Sequence, residues 1–267
     1  MKSKRKHLEE ILKGCGKVAV ALSGGLDSST LVAFASKVLG AQNCMALTVH
    51  APYMMQDELA GAKALCAKYG VRQDVFPIDN IPDAVTQNPP NRCFVCKTFV
   101  FEKLVKRVKE LGFDTLADGT NADDLSDYRP GLKALKDLGI KSPLLEAQMG
   151  KADIRRLARA SGLSKEFASK PAYACLMTRF EHGTKITPEL LKRTDEAESF
   201  LRKSGFKKVR VRLHGDLARI ELDPKDIKKA ATTPLREEIN AKLKALGYKN
   251  VSLDLAGYKM GAMNIHV

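Results

Sequence analysis

The sequence predicts an α/β protein, a parallel sheet covered by helices on both faces, followed by a smaller α+β module. Two observations predict this fold. Short apolar runs bounded by glycine alternate with stretches whose apolar residues recur at helical spacing. That alternation persists to about residue 180, where a period-2 hairpin pattern replaces it. Composition adds that a sizeable core is available: the 267 residues are 44% hydrophobic and 28% charged.

Taken in order, residues 17–22 (KVAVAL) read as a strand buried on both faces. From Ser28, the positions Leu31, Val32, Ala35, Val38 and Leu39 recur as on a helix, which Gly40 ends. Cys44–His50 reads as the next strand, Gln56–Tyr69 as a helix closed by Gly70, and residues 71–76 as a third strand. A loop rich in Pro and Asn follows over 77–91, where regular structure is not expected. Phe101, Leu104, Val108 and Leu111 form a helical stripe ending at Gly112, before a strand at 114–117. Helices near 131–138 and 152–161, with a short segment at 142–145 between them, continue the alternation. Beyond it, Pro188–Lys203 is expected as a helix capped by Thr187. Segments 209–213 and 217–222 form a hairpin, and a helix over 235–246 and a strand at 251–255 complete the module. The expected domains are 1–182 and 183–267.

Net charge is +14, which favours anionic partners such as nucleotides, phosphorylated metabolites or nucleic acid. Both parts are positive, and the compact basic cluster is Lys2, Lys4, Arg5 and Lys6, so a solvated positive surface explains the charge equally well. No apolar run approaches the roughly 20 residues of a membrane helix. The amino-terminal stretch has no secretory signal pattern, so a cytoplasmic location is expected.

The sharpest motif is Ser23-Gly24-Gly25-Leu26-Asp27-Ser28-Ser29, between the first strand and the first covering helix. A helix N-terminus offers N–H groups and partial positive charge to a phosphate. Gly24 and Gly25 permit a sharp turn and close approach, Ser23, Ser28 and Ser29 add hydroxyls, and Asp27 suits magnesium or loop orientation. A Gly-x-x-x-x-Gly-Lys-Ser/Thr loop is absent, and Gly14-Cys15-Gly16 precedes the strand where a dinucleotide fingerprint would follow it. The segment resembles the loop of the PP-loop ATP pyrophosphatases. The resemblance implies a Rossmann-like domain that binds ATP and magnesium and cleaves ATP to AMP and pyrophosphate.

Six cysteines without an export signal read as thiols. Cys44 and Cys66 lie in apolar or amphipathic runs and suit the core, and Cys15 sits in a glycine-flanked turn. Cys93 and Cys96 open a helix three residues apart, where the helix field is expected to lower thiol pKa. Alone, this pair fits a zinc half-site, a redox pair or an inert surface. With Cys175 it makes three thiols, enough for a four-iron cluster with one open iron.

Several stretches in fixed order resemble the LarE family of ATP-dependent sulfur transferases. They are 23–29, 91–97 (NRCFVCK), 118–124 (DGTNADD), 127–134, 142–147, 170–179, 209–221 and 252–257. The resemblance implies adenylation of a carboxylate of pyridinium-3,5-biscarboxylic acid mononucleotide and installation of sulfur, in nickel-pincer nucleotide synthesis. It implies a 4Fe-4S cluster on Cys93, Cys96 and Cys175, since some members carry three such cysteines while others sacrifice one. The expected partners are that mononucleotide and sulfide or another sulfur donor, in a homo-oligomer, without membrane or nucleic acid. A PP-loop tRNA thiolase with a similar cluster and a non-catalytic nucleotide-binding regulator are the competing readings.

Further candidates have plain roles. Arg210 and Arg212 alternate with apolar residues, so both project from one strand face as a clamp for the substrate phosphate, or as an exposed basic face. Arg179 stands four residues after Cys175, where it would neutralise a substrate carboxylate. Asp118, Asn121, Asp123, Asp124 and Asp127 crowd the end of a strand, where they would position magnesium and nucleotide or cap a turn. Glu198, Glu221 and Asp254 are expected at substrate or oligomer contacts, and His182 and His214 in surface turns.

Overall fold

The computed structural model describes residues 2–126, 131–168 and 174–259. The chain opens with helix α1 (Lys2–Gly14), strand β1 (Val18–Ala21), helix α2 (Leu26–Leu39), strand β2 (Cys44–His50), helix α3 (Gln56–Tyr69) and strand β3 (Arg72–Pro77). Helices α4 (Asp83–Thr86) and α5 (Arg92–Glu110), strand β4 (Thr115–Ala117) and helices α6 (Gly131–Asp137), α7 (Pro143–Glu146), α8 (Lys151–Ala160) and α9 (Lys165–Ala168) follow. The remainder holds helix α10 (Pro188–Lys203), strands β5 (Val209–His214) and β6 (Leu217–Leu222), helices α11 (Ile227–Ala230) and α12 (Leu235–Ala245), and strand β7 (Asn250–Leu253). Asp127 and residues 128–130 and 170–173, parts of stretches singled out above, lie outside the described residues.

Two compact units result: Met1–Ile81 with Asn91–Tyr173, and Pro82–Pro90 with Ala174–Val267. The expected break was at 182/183. Hydrogen bonds explain the difference. Asn88 donates its side-chain amide to the carbonyls of Phe180 and Glu181 at 3.3 and 2.6 Å. Gly183 N–H reaches Asn88 O and Ile186 N–H reaches Thr86 O, at 3.0 and 2.7 Å. These bonds tie the proline-rich segment to the second unit. Its one helical turn, α4, buries Val85, where no regular structure was expected.

In the first unit, the expected parallel sheet is present, ordered β3-β2-β1-β4. β1 is central and has no exposed side chain, which suits its Val/Ala run. Helix α2 packs across it with Leu31, Val32 and Ala35 fully buried, and α1 and α8 flank α2. The first residues stand out in the sequence only by their charge, whereas α1 forms there because Leu8 and Leu12, one turn apart, bury completely in the core. Each such burial contributes about 1.5–3 kcal/mol; Lys4, on the same face one turn earlier, is half-buried and pairs with Asp153 of α8 at 3.0 Å, while Lys2, Lys6 and Lys13 are exposed.

Strand order reverses between β1 and β4: β2 and β3 extend the sheet one way from β1, and β4 the other. The crevice outside the carboxyl ends of such strands is where open α/β sheets take ligands.

The second unit has a three-stranded sheet ordered β5-β6-β7 among the described residues. β5 and β6 form an antiparallel hairpin and β7 pairs parallel to β6. α10 starts at Thr187, whose hydroxyl accepts the Leu190 N–H at 3.3 Å, with Pro188 in its first turn. Leu191, Ala197 and Leu201 bury one face of α10, which packs against β5.

Candidate functional site

In the first unit, Ser23–Ser29 forms the bend from β1 into α2, on the β1 side of the switch point. Gly24 has φ +78, and a Cβ there would sit 2.5 Å from the Glu58 carbonyl oxygen, so only glycine fits. The bend is braced from within: Ser23 N–H donates to Ser28 Oγ at 3.2 Å, and Gly25 N–H donates to Ser23 Oγ at 3.3 Å. No side chain caps α2 at Gly25, which leaves its first-turn field facing outward. The Ser29 hydroxyl is buried and has no hydrogen-bond partner among the described residues. An unsatisfied buried hydroxyl costs about 1–3 kcal/mol, and a phosphate oxygen would remove that cost. Together these features suit a polyphosphate.

Asp27, in the first turn of α2, is ion-paired with Lys151. Lys151 is the first residue of α8, and its backbone N–H donates to Asp123 Oδ2 at 2.7 Å. Sequence reasoning missed this lysine. The available signal was a Gly-Lys pair opening an amphipathic helix, but the partnership spans 124 positions.

The loop after β4 presses onto the same helix start. A Cβ on Gly119 would lie 2.7 Å from the Ser28 nitrogen. Asp118 accepts from the Thr120 hydroxyl and, at 2.6 Å, from the Ser142 hydroxyl. Asn121 gives its backbone N–H and its Nδ2 to Asp124 Oδ2 at 3.1 and 2.8 Å. Asp118, Thr120, Asn121 and Asp124 are buried, and these bonds brace the wall of the crevice.

Cys93 is the second residue and Cys96 the fifth of α5, the helix that precedes β4. Cys93 is exposed and Cys96 half-buried. The expected pKa lowering by the helix field does not govern Cys96. Burial pushes its thiol up, and a hydrogen bond from Tyr53 only partly opposes this. Burial also raises Cys44 to about 12 and Cys66 to about 11, as core thiols should behave.

In the second unit, Cys175 is exposed and immediately precedes a single 3-10 turn, Leu176–Arg179. Arg179 differs most from expectation. Its guanidinium is wholly buried, with Nε and Nη2 donating to the two oxygens of Glu198 at 2.7 and 2.9 Å. Burial works against its charge, yet Glu198 outweighs burial and the pKa rises; the Glu198 carboxyl is correspondingly held low. A solvent-facing partner for a substrate carboxylate is therefore not its position here.

Arg210 and Arg212 are also buried rather than projecting from an open face, because both faces of β5 are covered. Arg212 bonds Glu221 at 3.0 Å and the Thr178 carbonyl at 2.8 Å, while its Nε–H is buried without a partner among the described residues. Arg210 donates to the Val209 carbonyl at 2.7 Å and stands 5.0 Å from the Tyr258 ring. Burial and then the nearby Arg179 lower its pKa. Among the described residues of the second unit, three buried guanidiniums, Arg179, Arg210 and Arg212, stand with two buried carboxylates, Glu198 and Glu221, a balance that suits an anion such as a phosphate. Glu198 and Glu221 are thus interior ion-pair partners and not oligomer contacts. Asp254 lies 3.5 Å from Arg219, and His214 meets Glu181 at 2.7 Å.

None of the six cysteines is in a disulfide. Within each unit, no three described His, Cys, Asp or Glu side chains gather into a metal-binding group. Cys93 and Cys175 are exposed and Cys96 is half-buried, unlike the core thiols Cys44 and Cys66, and cysteine sulfur is the donor an iron–sulfur group takes. In iron-free protein, iodoacetamide at about pH 8 should label Cys93 and Cys175 rapidly, with Cys44 and Cys66 labelled only on unfolding. Peptide-resolved mass spectrometry reads the pattern, and rapid labelling of Cys44 would contradict this burial.

A family profile described as NAD synthase matches residues 2–109. An uncharacterised protein of Synechocystis is 37% identical over 265 residues, 99% of this chain and 98% of its own. The pyridinium-3,5-bisthiocarboxylic acid mononucleotide synthase of Lactiplantibacillus plantarum is 34% identical over 263 residues, 98% of this chain and 94% of its own. An ammonia-dependent NAD synthetase of Chlorobaculum tepidum is 31% identical over 78 residues, 29% of this chain and 28% of its own. The match to the bisthiocarboxylic acid mononucleotide synthase, at 263 residues, extends over both units. The chain belongs to the LarE family of PP-loop enzymes.

Proposed function

We propose that this chain is an ATP-dependent sulfur transferase that converts a carboxylate of pyridinium-3,5-biscarboxylic acid mononucleotide into a thiocarboxylate, for a nickel-pincer nucleotide. The observation that carries the reading is similarity along 98% of the chain to the bisthiocarboxylate synthase. The braced glycine bend with its unsatisfied Ser29 hydroxyl supports ATP as the co-substrate.

ATP seats its phosphates on Ser23–Ser29. Magnesium, when bound, would be held by Asp27 and phosphate oxygens and would draw charge from the α-phosphorus. Lys151 then turns from Asp27 to the phosphates. A carboxylate oxygen of the substrate attacks the α-phosphorus, the bond to the bridging oxygen breaks, and pyrophosphate leaves. The mixed anhydride with AMP is needed because a bare carboxylate resists a sulfur nucleophile. Sulfur next attacks the acyl carbon as the bond to the AMP oxygen breaks. Arg212, with its buried Nε–H, and Arg210 take the substrate phosphate. Asp118, Asn121 and Asp124 hold the loop that shapes the nucleotide crevice.

Cys93, Cys96 and Cys175 would hold a 4Fe-4S cluster, whose open iron supplies a place for exogenous sulfide. Sacrifice of Cys175 itself is the alternative sulfur source.

The test is an assay of anaerobically purified protein with magnesium ATP, the dicarboxylate mononucleotide and sulfide, with parallel iron and sulfide analysis. One AMP and one pyrophosphate per sulfur installed is expected. Failure of the mononucleotide to elicit AMP would overturn the proposal. Thiocarboxylate formed by iron-free protein, with Cys175 losing the elements of hydrogen sulfide, would replace the cluster by the sacrificial route.

A further inference from the structure

Arg179 is buried, yet its hydrogen bonds converge on the backbone that carries an exposed thiol. Its Nη1 donates to the carbonyls of Ala174 and Cys175 at 3.0 and 3.3 Å and to the Thr178 hydroxyl at 2.8 Å. The Cys175 carbonyl also accepts the Thr178 N–H and hydroxyl, at 3.0 and 2.8 Å. The other side of the guanidinium is fixed by both oxygens of Glu198. Glu198 is fixed in turn, because its Oε1 accepts the Val211 N–H of β5 at 3.0 Å and its Oε2 lies 3.5 Å from Arg202.

We propose that Glu198 and Arg179 are positioning residues that hold the Cys175 main chain against α10 and β5, so that its sulfur is presented in one orientation. The proposal rests on the reading that Cys175 takes part in sulfur delivery. Two considerations support it. A fully buried ion pair is a weak source of stability, since desolvating both ions offsets most of their attraction. Its geometric value is larger: two parallel bonds to Glu198 fix the guanidinium plane, and that plane sets where the Ala174 and Cys175 carbonyls lie. Arg212 adds a second tether through the Thr178 carbonyl, so the turn is also tied to the arginine cluster of β5.

The experiment compares the wild type, a double variant Arg179→Met with Glu198→Met, and Glu198→Asp, all as full-length chains. The double variant replaces the pair by apolar side chains of similar length, a change that buried pairs often tolerate. In iron-free protein, amide hydrogen exchange of the peptide covering 174–179 is followed at one pH, with the peptide around Cys93 as reference. The 174–179 amides should exchange about tenfold faster once the guanidinium no longer holds the Ala174 and Cys175 carbonyls, with the reference peptide unmoved. Thiocarboxylate formation should fall about tenfold further than AMP formation, and Glu198→Asp should be intermediate on both readouts. A folded double variant with unchanged exchange at 174–179, or with both activities falling in step, would overturn the proposal. Should the double variant not fold, Glu198→Asp decides by the same readouts. Should the wild type make no AMP with the mononucleotide, the adenylation reading fails separately and the exchange of 174–179 alone decides the positioning role.

Discussion

Asp27→Ala is expected to lower AMP and pyrophosphate formation by about three orders of magnitude, the scale of about 4 kcal/mol of transition-state stabilisation. Asp27 sits where the helix field, the glycine bend and Lys151 meet. Its loss removes the proposed carboxylate for magnesium and also leaves the Lys151 ammonium without its carboxylate partner. The cost to stability should be small by comparison, about 0.3–1 kcal/mol for an acidic residue in the first turn of a helix. A variant with a near-normal melting temperature and pyrophosphate release about a thousandfold slower is therefore the predicted result. Retained adenylation at the wild-type rate would remove the loop from the mechanism.

Cys175→Ser should separate the two halves of the reaction. Adenylate formation is assigned to the first unit, whereas Cys175 belongs to the second. Serine is close in size, and the site is exposed, so packing changes little. Thiocarboxylate formation is expected to fall by about three orders of magnitude or more, as when a nucleophile is removed, while a first equivalent of pyrophosphate is still released. Quenched-flow measurement of pyrophosphate with mass spectrometry of the pyridinium product tests this. Wild-type sulfur incorporation by the serine variant would exclude Cys175 from either sulfur route.

Much of the fold was legible before any coordinates. Gly16 and Gly24 bracket a run of small apolar residues, and β1 is the buried central strand. The Gly-Asp turn between two period-2 segments becomes the β5–β6 hairpin, with Val209 opposite Leu222. Helix α1 was overlooked because its lysines dominate its composition, although Leu8 and Leu12 stand one turn apart. The site was only partly legible. The phosphate bend reads from its own glycines and serines, since its shape is set by backbone freedom and a helix start.

Local sequence thus settled what depends on neighbours in the chain: strand and helix order, the bend at Ser23–Ser29, the cap at Thr187 and the thiol pair at the start of α5. Periodicity assigns Arg210 and Arg212 to one face of a strand, but it carries no information on whether that face is open. Packing decided that, by burying both faces of β5 and leaving each arginine to find partners inside. It likewise joined Arg179 to Glu198 and Lys151 to Asp27. A charge taken out of water is stabilised by whatever the folded chain brings within a few ångströms, and that neighbour is set by tertiary contact and not by sequence distance.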